Sequence, residues 1–296
     1  MKKIVVIALT LLVIGILGSA VTAAVTDTFT LETVKLHEES EINNSNIKNI
    51  KVNVSSSDIQ LTPSESENIK VTLDGRVSEK VLDRYQFNVE ENGESLHVNL
   101  DLELFFSIGV SIADLTVMIE VPDKHYKSIV LESSSGDIHV NQLTADELDT
   151  QSSSGDIHID KVESKQSFIL ESSSGSIEVL NSTAPSFTAS ASSGDISFRE
   201  IHGNIAVNTS SGEIKLDNEK VAGDFIAEAS SGDVTVNYKE SPTSLLIDFE
   251  GSSGDGDVSL ENVNYEEKAD DLIVGKIGDG KYTVKVRVSS GDFKLN

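Results

Sequence analysis

The sequence predicts an all-β protein, a parallel β-solenoid with one coil about every 20 residues, and three observations support this prediction. A Ser-Ser-Gly motif recurs at nearly constant spacing, apolar and polar residues alternate on both sides of it, and each copy repeats the same residue types. The glycines of the first six Ser-Ser-Gly motifs are separated by 19, 20, 19, 18 and 20 residues. We expect a structural turn at each of the following repeat glycines: Gly136, Gly155, Gly175, Gly194, Gly212, Gly232, Gly254 and Gly291.

Each repeat contains two predicted strands, one before and one after its Ser-Ser-Gly turn. In the first repeat Ile138 and Val140 follow the glycine with His139 between them, and Ile129 and Leu131 precede it. Alternation of this kind is typical of a strand with one buried face. Stacked coils would place equivalent residues about 4.8 Å apart. An antiparallel β-sandwich is the alternative fold, but it accounts less easily for a constant period.

The Ser-Ser-Gly turns predict two local features. The glycine is expected to have a positive φ, which a residue with a Cβ resists. An acidic residue usually follows the glycine, and its carboxylate is expected to accept N–H hydrogen bonds from its own turn. Calcium bridging between neighbouring coils is the alternative. The acidic positions are Asp137, Asp156, Asp195, Glu213, Asp233, Asp257 and Asp292.

The N-terminal residues predict membrane insertion. Lys2 and Lys3 precede residues 4–25, a stretch of 22 residues without a charge, which is long enough to cross a hydrocarbon core of ~30 Å as a helix. The two lysines favour a cytoplasmic N-terminus, so the remainder would lie outside the cell membrane. Small residues at Val21–Ala23 make signal cleavage and secretion the alternative. The predicted divisions are a membrane anchor or signal segment at 1–25, a polar spacer at 26–49 and a β-repeat ectodomain at 50–296.

The repeats at both ends of the ectodomain are less regular. Ser57 occupies the glycine position of an early copy of the motif, and 79 residues separate it from Gly136, which is room for about four degenerate coils. The apolar segment at 104–110 interrupts the pattern, and we interpret it as a hairpin or insertion, with contact to a membrane or partner as the alternative. Further strands are predicted at 69–73, 85–89, 96–100 and 282–288.

The composition excludes several functional classes. The formal net charge is −26, from 49 acidic and 23 basic residues, so the surface repels nucleic acid phosphates and anionic lipids. The chain has no cysteine, which excludes disulfides and thiolate metal sites. His139 and His158 occupy equivalent positions without further ligands, so we predict no metal site and no cofactor. No pattern predicts a catalytic residue, and a polysaccharide-cleaving enzyme is the weaker alternative.

The motifs SSSGDIHV, SSGEIKL and VSSSDIQL, together with IGDGKYTVKVRVSSGDFKLN at the C-terminus, resemble a bacterial adhesin-like family of β-strand-repeat proteins. The resemblance covers about residues 50–296. It implies an exported, non-catalytic β-repeat ectodomain and supplies no catalytic residues. One member of that family is membrane-anchored and encoded in a cell-envelope-stress operon of Gram-positive bacteria, and the length and N-terminal apolar segment of this chain are similar to it.

Together these observations predict a single-pass membrane protein whose acidic extracytoplasmic solenoid provides a binding or scaffolding surface in the cell envelope, with a role in envelope stress. The expected partners are an envelope protein or a cell-wall polymer, and the lipid bilayer through the N-terminal helix. No nucleic acid partner is expected. A surface adhesin, or a scaffold that self-associates through the ends of the solenoid, is the alternative function.

Overall fold

A computed structural model describes residues 33–79, 82, 84–102 and 113–296. The predicted membrane segment at 4–25 and the apolar segment at 104–110 lie outside these ranges. No helix within them is long and apolar enough to cross a membrane. The described residues form 25 strands in two sheets, one of 12 strands and one of 13. The predicted all-β class is therefore confirmed.

Six central repeats each form one coil, with a long strand in the 13-stranded sheet and a short strand in the 12-stranded sheet. We call these the long-strand sheet and the short-strand sheet. The long strands are β8 His125–Ser133, β10 Thr144–Ser152, β12 Glu163–Ser172, β14 Thr183–Ala191, β16 His202–Thr209 and β18 Phe225–Ser231. The short strands are β9 Ile138–Asn141, β11 Ile157–Asp160, β13 Ile177–Leu180, β15 Ile196–Arg199, β17 Ile214–Asn218 and β19 Val234–Tyr238.

Neighbouring coils pair in parallel and in the register that the repeat predicts. Ile157 of β11 is paired with Ile138 of β9 on one side and with Ile177 of β13 on the other. In the long-strand sheet Leu148 of β10 is paired with Ile129 of β8. Because parallel pairing of this kind continues through all six coils, the solenoid prediction is confirmed and the antiparallel sandwich is wrong.

The N-terminal residues form two coils, β2 with β3 and β6 with β7, and an antiparallel cap, instead of the four degenerate coils expected before Gly136. The strands are β1 Thr33–Ile42, β2 Asn49–Val54, β3 Asp58–Ser64, β4 Ile69–Ser78, β5 Tyr85–Asn92, β6 Ser95–Leu102 and β7 Ala113–Pro122. β3 pairs directly with β9, while β4 pairs antiparallel with both β1 and β7, and β5 pairs antiparallel with β6. Parallel stacking nevertheless continues here, because β2 pairs in parallel with β8 and β6, and β3 pairs in parallel with β9 and β7. The antiparallel strands β1, β4 and β5 are added to these two coils. The stretch predicted as a polar spacer thus contributes β1, an edge strand.

The C-terminal residues close the other end in a similar way. The strands are β20 Leu245–Gly251, β21 Gly256–Val258, β22 Asn264–Lys268, β23 Leu272–Ile277, β24 Tyr282–Ser290 and β25 Phe293–Leu295. The last coil, β24 with β25, lies between β18 with β19 and β20 with β21, so the order in space differs from the order in sequence. Strands β22 and β23 pair antiparallel at the edge. The strands predicted at 69–73, 85–89, 96–100 and 282–288 are confirmed as β4, β5, β6 and β24.

The core lies between the two sheets and consists of the inward-facing columns of the repeat. Phe168 and Phe187 from neighbouring long strands stack with ring centroids 4.7 Å apart. Phe198 from the short-strand sheet meets Phe187 edge-on at 6.3 Å. All three side chains are at most 1% exposed. Such aromatic pairs add to the stabilisation from buried area, so this cluster connects the two sheets in the middle of the solenoid.

The turns opposite Ser-Ser-Gly contain the left-handed residues of the central coils. Their φ values lie between 48° and 55° at Gln142, Lys161, Asn181 and Glu200. This conformation costs a residue with a Cβ about 1–2 kcal/mol. The amide N–H groups of these residues donate to carbonyl groups of the next coil, for example Gln142 to Asp160 at 2.9 Å, which holds the turn in place.

Replacing Gln142 by valine should therefore lower the free energy of unfolding by about 1–2 kcal/mol, because a β-branched residue disfavours a positive φ most strongly. Gln142→Gly is the matched control, since glycine adopts this conformation without a steric cost. Urea denaturation of both variants measures the difference. Equal losses would show that the backbone conformation at this turn is not the cause.

Candidate functional site

A buried serine or threonine stands three positions before four of the eight repeat glycines. Ser152 illustrates it: its Oγ accepts a hydrogen bond from the Gly155 N–H at 2.8 Å and lies 3.5 Å from the Gly136 carbonyl oxygen of the preceding coil. The same pattern occurs at Ser133, Ser172 and Thr209. These hydroxyls fix the sharp bend at which four of the long strands end.

The repeat glycines lie at these bends, but the predicted positive φ is wrong at six of them. Only Gly232 and Gly291 among the repeat glycines have φ in that region, at 158° and 145°. The others require glycine because of close approach between coils: a Cβ on Gly175 would lie 2.0 Å from the Gly155 carbonyl oxygen. The same contact, at 1.7–2.1 Å, would occur at Gly136, Gly155, Gly194, Gly212 and Gly254. Stacking, and not local backbone conformation, excludes a side chain here.

The acidic column has a different hydrogen-bond pattern from the one predicted. Five of the predicted carboxylates accept a hydrogen bond from the backbone of the next coil: Asp137 Oδ1 accepts the Asp156 N–H at 2.8 Å, and Asp156 Oδ1 accepts the Ser176 N–H at 2.7 Å. Asp195, Asp233 and Asp292 do the same. Charge-assisted bonds of this type offset the repulsion between stacked carboxylates. Asp257 was assigned to this column, but the structure places Asp255 there and pairs Asp257 with Lys294.

His139 and His158 lie one above the other, as their equivalent positions predict, with ring centroids 5.8 Å apart. His158 Nδ1 lies 2.9 Å from Glu178 Oε2. In the parts of the chain that the structure describes, no group of three or more His, Cys, Asp or Glu side chains is arranged to hold a metal ion. The two histidines form part of the outer surface of the short-strand sheet.

A polar groove runs along the solenoid axis beside the Ser-Ser-Gly turns. We call it the axial groove. One part has a volume of about 530 Å³, and a second part of about 400 Å³ adjoins it through Asn208 and Ser210. It crosses β2, β8, β10, β12, β14, β16, β18, β24 and β20 in that order. Eight steps between neighbouring strands give it a length of about 40 Å.

The walls of the axial groove come from the outward-facing residues on either side of the buried hydroxyl column. Glu132 and Ser134, for example, flank the buried Ser133. One wall consists of the exposed serines of the turns, Ser134, Ser153, Ser173, Ser192, Ser210, Ser230 and Ser289. The other wall, one residue per strand, consists of Asn53, Glu132, Gln151, Glu171, Ser190, Asn208, Glu228, Arg287 and Glu250. We did not predict this second wall, although the alternation within each long strand places its residues on the outer face.

The electrostatics of the axial groove are acidic. Glu132 is held by Lys51 and Asn53, each at 3.1 Å. The guanidinium of Arg287 is paired with both carboxylate oxygens of Asp248, at 2.9 and 3.0 Å, and with Glu250 at 3.1 Å. The one basic side chain among the described groove residues is thus neutralised by its neighbours.

Asp149 lies on the outer face of the long-strand sheet, next to the axial groove. Burial raises the pKa of its carboxyl group, and the charges of Glu171 and Glu132 raise it further, against the opposing effect of Lys51. Its Oδ1 atom is buried without a hydrogen-bond partner. The carboxylate therefore opposes folding at neutral pH.

Asp149→Asn should accordingly raise the melting temperature by a few degrees at pH 7. An acid whose pKa is higher in the folded state destabilises that state above this pKa, so the gain should disappear as the pH falls through it. Thermal unfolding at pH 7 and at about pH 3 measures the effect, with Glu147→Gln, an exposed position on the same strand, as the control. A gain of equal size at both pH values would contradict this account.

The fold and the axial groove together define a class of proteins: parallel β-solenoids with antiparallel caps and a polar surface along the axis. Comparison with known families identifies the particular one. The Toastrack DUF4097 family matches residues 47–296, and the chain belongs to this family. No curated protein matches the sequence.

Several solved structures are similar over most of the chain. A candidate lipid-binding protein from Parabacteroides distasonis is 16% identical with a TM-score of 0.47, covering 88% of this chain and 97% of its own. A candidate adhesin from Bacteroides fragilis is 13% identical with a TM-score of 0.42, covering 90% and 98%. A candidate cell adhesion protein from Clostridium sporogenes is 12% identical with a TM-score of 0.31, covering 88% and 99%. Identities this low say nothing about the ligand of this chain.

Proposed function

We propose that this protein is a non-catalytic binding or scaffolding protein of the cell envelope, and that its axial groove holds a linear, hydroxyl-rich cell-wall polymer. The observation that carries this proposal is the continuity of the groove: hydroxyl, amide and carboxylate groups recur on successive strands for about 40 Å. Such a surface offers the same hydrogen-bonding groups at each step. A linear polymer with a regular repeat could use many of them at once, so weak contacts would add up.

Two features of the groove support binding without catalysis. Its basic side chain, Arg287, is already occupied by Asp248 and Glu250. The groove serines belong to a repeated turn, in which Ser134, for example, directly follows the buried Ser133, and no described groove residue is a histidine that could activate them. The groove serines therefore have no histidine in this groove to activate them as nucleophiles.

The test of this proposal is cosedimentation of the full-length protein, in a mild detergent, with purified insoluble cell wall from the native host. The variant Gln151→Ala/Asn208→Ala removes two exposed amides from the groove wall, and Lys161→Ala/Lys165→Ala, at the opposite edge, is the control. We expect binding that the groove variant weakens and the control retains. Equal binding by both variants, or recovery of an envelope protein in place of the polymer, would contradict the polymer proposal.

We also propose that the N-terminal apolar segment anchors the chain in the membrane with the solenoid on the outer side. The two lysines before residues 4–25, and the length of that segment, support this topology. Protease treatment of intact cells should degrade the solenoid, and a full-length product of unchanged mass should remain in the membrane fraction of untreated cells. A shortened, soluble product would favour the secreted alternative.

We further propose a role in envelope stress, which is based on the family resemblance. A strain without this protein should be more sensitive to agents that damage the cell wall, and the anchored full-length chain should restore resistance. Restoration by the groove variant Gln151→Ala/Asn208→Ala to the same degree would separate this role from the axial groove.

The alternative of a self-assembling scaffold is less favoured because an edge strand at each end of the solenoid carries several charges. The edge strand β1 carries four charged residues, Lys35, Glu38, Glu39 and Glu41. The edge strand β22 carries three, Glu266, Glu267 and Lys268. Charged edges are a common means of preventing strand pairing between molecules. Sedimentation equilibrium should give a monomer mass that does not change with concentration, and a mass that increases with concentration would support self-assembly.

A further inference from the structure

We infer that His139 and His158 form a binding site for a divalent transition metal ion, Zn²⁺ or Cu²⁺, on the outer face of the short-strand sheet. This inference is independent of the proposed function, since the axial groove crosses the long-strand sheet. It replaces the prediction of no metal site, which considered protein ligands alone and not the water molecules that complete an exposed site.

The stacking of the coils places the two imidazoles at the distance that a shared metal ion requires. His139 of β9 and His158 of β11 are direct partners in the parallel register. Their ring centroids lie 5.8 Å apart, and the ring planes are tilted by 50°. Two imidazoles that bind one ion through Zn–N bonds of about 2.0–2.1 Å have centroids about 5–6 Å apart. A metal ion therefore fits between these side chains after small rotations of the rings.

A carboxylate on the next strand orients one of the two histidines. His158 Nδ1 lies 2.9 Å from Glu178 Oε2, and Glu178 is the register partner of His158 on β13. Because an ionised carboxylate only accepts hydrogen bonds, this contact places a proton on Nδ1 and leaves the Nε2 lone pair of the neutral ring available as a ligand. Metal-binding histidines are usually held by a carboxylate in this way.

A shallow cavity beside the two rings provides space for the remaining ligands. It has a volume of about 200 Å³ and is lined by Gln60, Thr62, His139, Val140, Asn141, His158 and Asp160. Gln60 of β3 is the register partner of His139, so an amide continues the row of imidazoles. Amide oxygens accept hydrogen bonds, and those of Gln60 and Asn141 are suited to hold water bound to the metal.

The charges around the pair favour a cation. Among the described residues that line the cavity, none is a lysine or an arginine. The two carboxylate oxygens of Asp160 already accept hydrogen bonds from Asn181 at 2.8 Å and from Lys161 at 3.0 Å. Asp160 therefore adds to the acidic surroundings but is not a third ligand, which agrees with the lack of any three-residue metal cluster in the described ranges.

The ligand atoms select the kind of metal ion. Imidazole nitrogen suits Zn²⁺ and Cu²⁺, whereas Ca²⁺ takes oxygen ligands. The histidine pair thus differs from the many surface carboxylates, which attract any divalent cation. Excess Ca²⁺ should compete for those carboxylates and leave the histidine pair free for Zn²⁺.

The experiment is calorimetric titration of the full-length protein with ZnCl₂, in a non-ionic detergent and excess Ca²⁺. We expect one Zn²⁺ ion per chain, and His139→Ala or His158→Ala should each weaken its binding at least about tenfold. The double variant should bind no more weakly than either single variant, because the two rings act as one chelate. Glu178→Ala should weaken binding about tenfold through the orientation of His158.

His125→Ala is the matched control. His125 Nε2 also lies near a carboxylate, at 2.7 Å from Asp146 Oδ1, but its register partner on the next coil is Thr144 and not a histidine. This variant should bind Zn²⁺ as tightly as the unaltered protein. A second measurement needs no substitution: Zn²⁺ should shift the ring NMR signals of His139 and His158 and leave those of His125 unchanged.

Three results would overturn the inference. The first is an equal loss of affinity in His125→Ala and in the variants of the pair, or no loss in any of them, which would mean that Zn²⁺ binds elsewhere on the acidic surface. The second is the absence of Zn²⁺ binding in excess Ca²⁺. The third is an unchanged NMR signal from either ring of the pair. None of these results bears on polymer binding in the axial groove.

Discussion

Replacement of Gly175 by valine is expected to lower the free energy of unfolding by at least about 3 kcal/mol. A Cβ at this position would lie 2.0 Å from the Gly155 carbonyl oxygen and 2.4 Å from its carbon. Both contacts are with backbone that the parallel register fixes on two sides, so the neighbouring coil would have to move. Urea denaturation followed by circular dichroism measures the change.

The variant Gly175→Asn distinguishes the two explanations for this glycine. Asparagine tolerates a left-handed backbone, so it would cost little if a positive φ were the reason. Since the contact between coils is the reason, Gly175→Asn should lower the free energy of unfolding about as much as Gly175→Val does. Gly93→Asn is the control, since Gly93 has a φ of 63° and no atom within 4 Å of the position of a Cβ. A stable Gly175→Asn variant would contradict the close-approach account.

Phe187→Ala should lower the free energy of unfolding by about 3–5 kcal/mol. The side chain is fully buried, stacks on Phe168 and meets Phe198 of the opposite sheet. Its removal would leave a cavity where the two sheets contact each other, and rigid parallel strands cannot collapse to fill it. Ile169→Ala is the control, because Ile169 is 39% exposed on the outer face of the neighbouring strand, and it should cost less than about 1 kcal/mol. Losses of similar size in the two variants would contradict the position of the core.

The periodic part of the fold could be predicted from the sequence, because the period and the alternation both act through local pattern. The columns that contain Ile138 and Val140 are buried in every central coil, as the alternation predicted. The caps could not be predicted in this way. Whether β3 pairs with β9 or with an intervening coil depends on contacts between residues about 80 positions apart, and the alternation of a strand is the same in a coil and in a hairpin.

Less of the candidate site than of the fold could be predicted from the sequence. The repeat identifies Gly175 as a turn residue but does not reveal that its neighbour in space is Gly155, and so it suggested a positive φ. The hydrogen bonds of Asp137 likewise join successive coils, which only the stacked structure displays. The residue type in the groove wall changes from Glu132 to Gln151 to Ser190, so these positions do not form a recognisable motif in the sequence. They form a continuous surface only because their strands are neighbours in the sheet.

The most direct test of the proposal that the axial groove contacts a cell-wall polymer is site-specific photocrosslinking in living cells. A photoreactive residue would replace Gln151, in the middle of the groove wall, or Lys161, at the opposite edge of the same coil. We expect the chain labelled at 151 to become linked to wall polymer that polysaccharide-degrading enzymes release, and the chain labelled at 161 to remain unlinked. Polymer linked equally at both positions, or at neither, would contradict the groove as the binding surface.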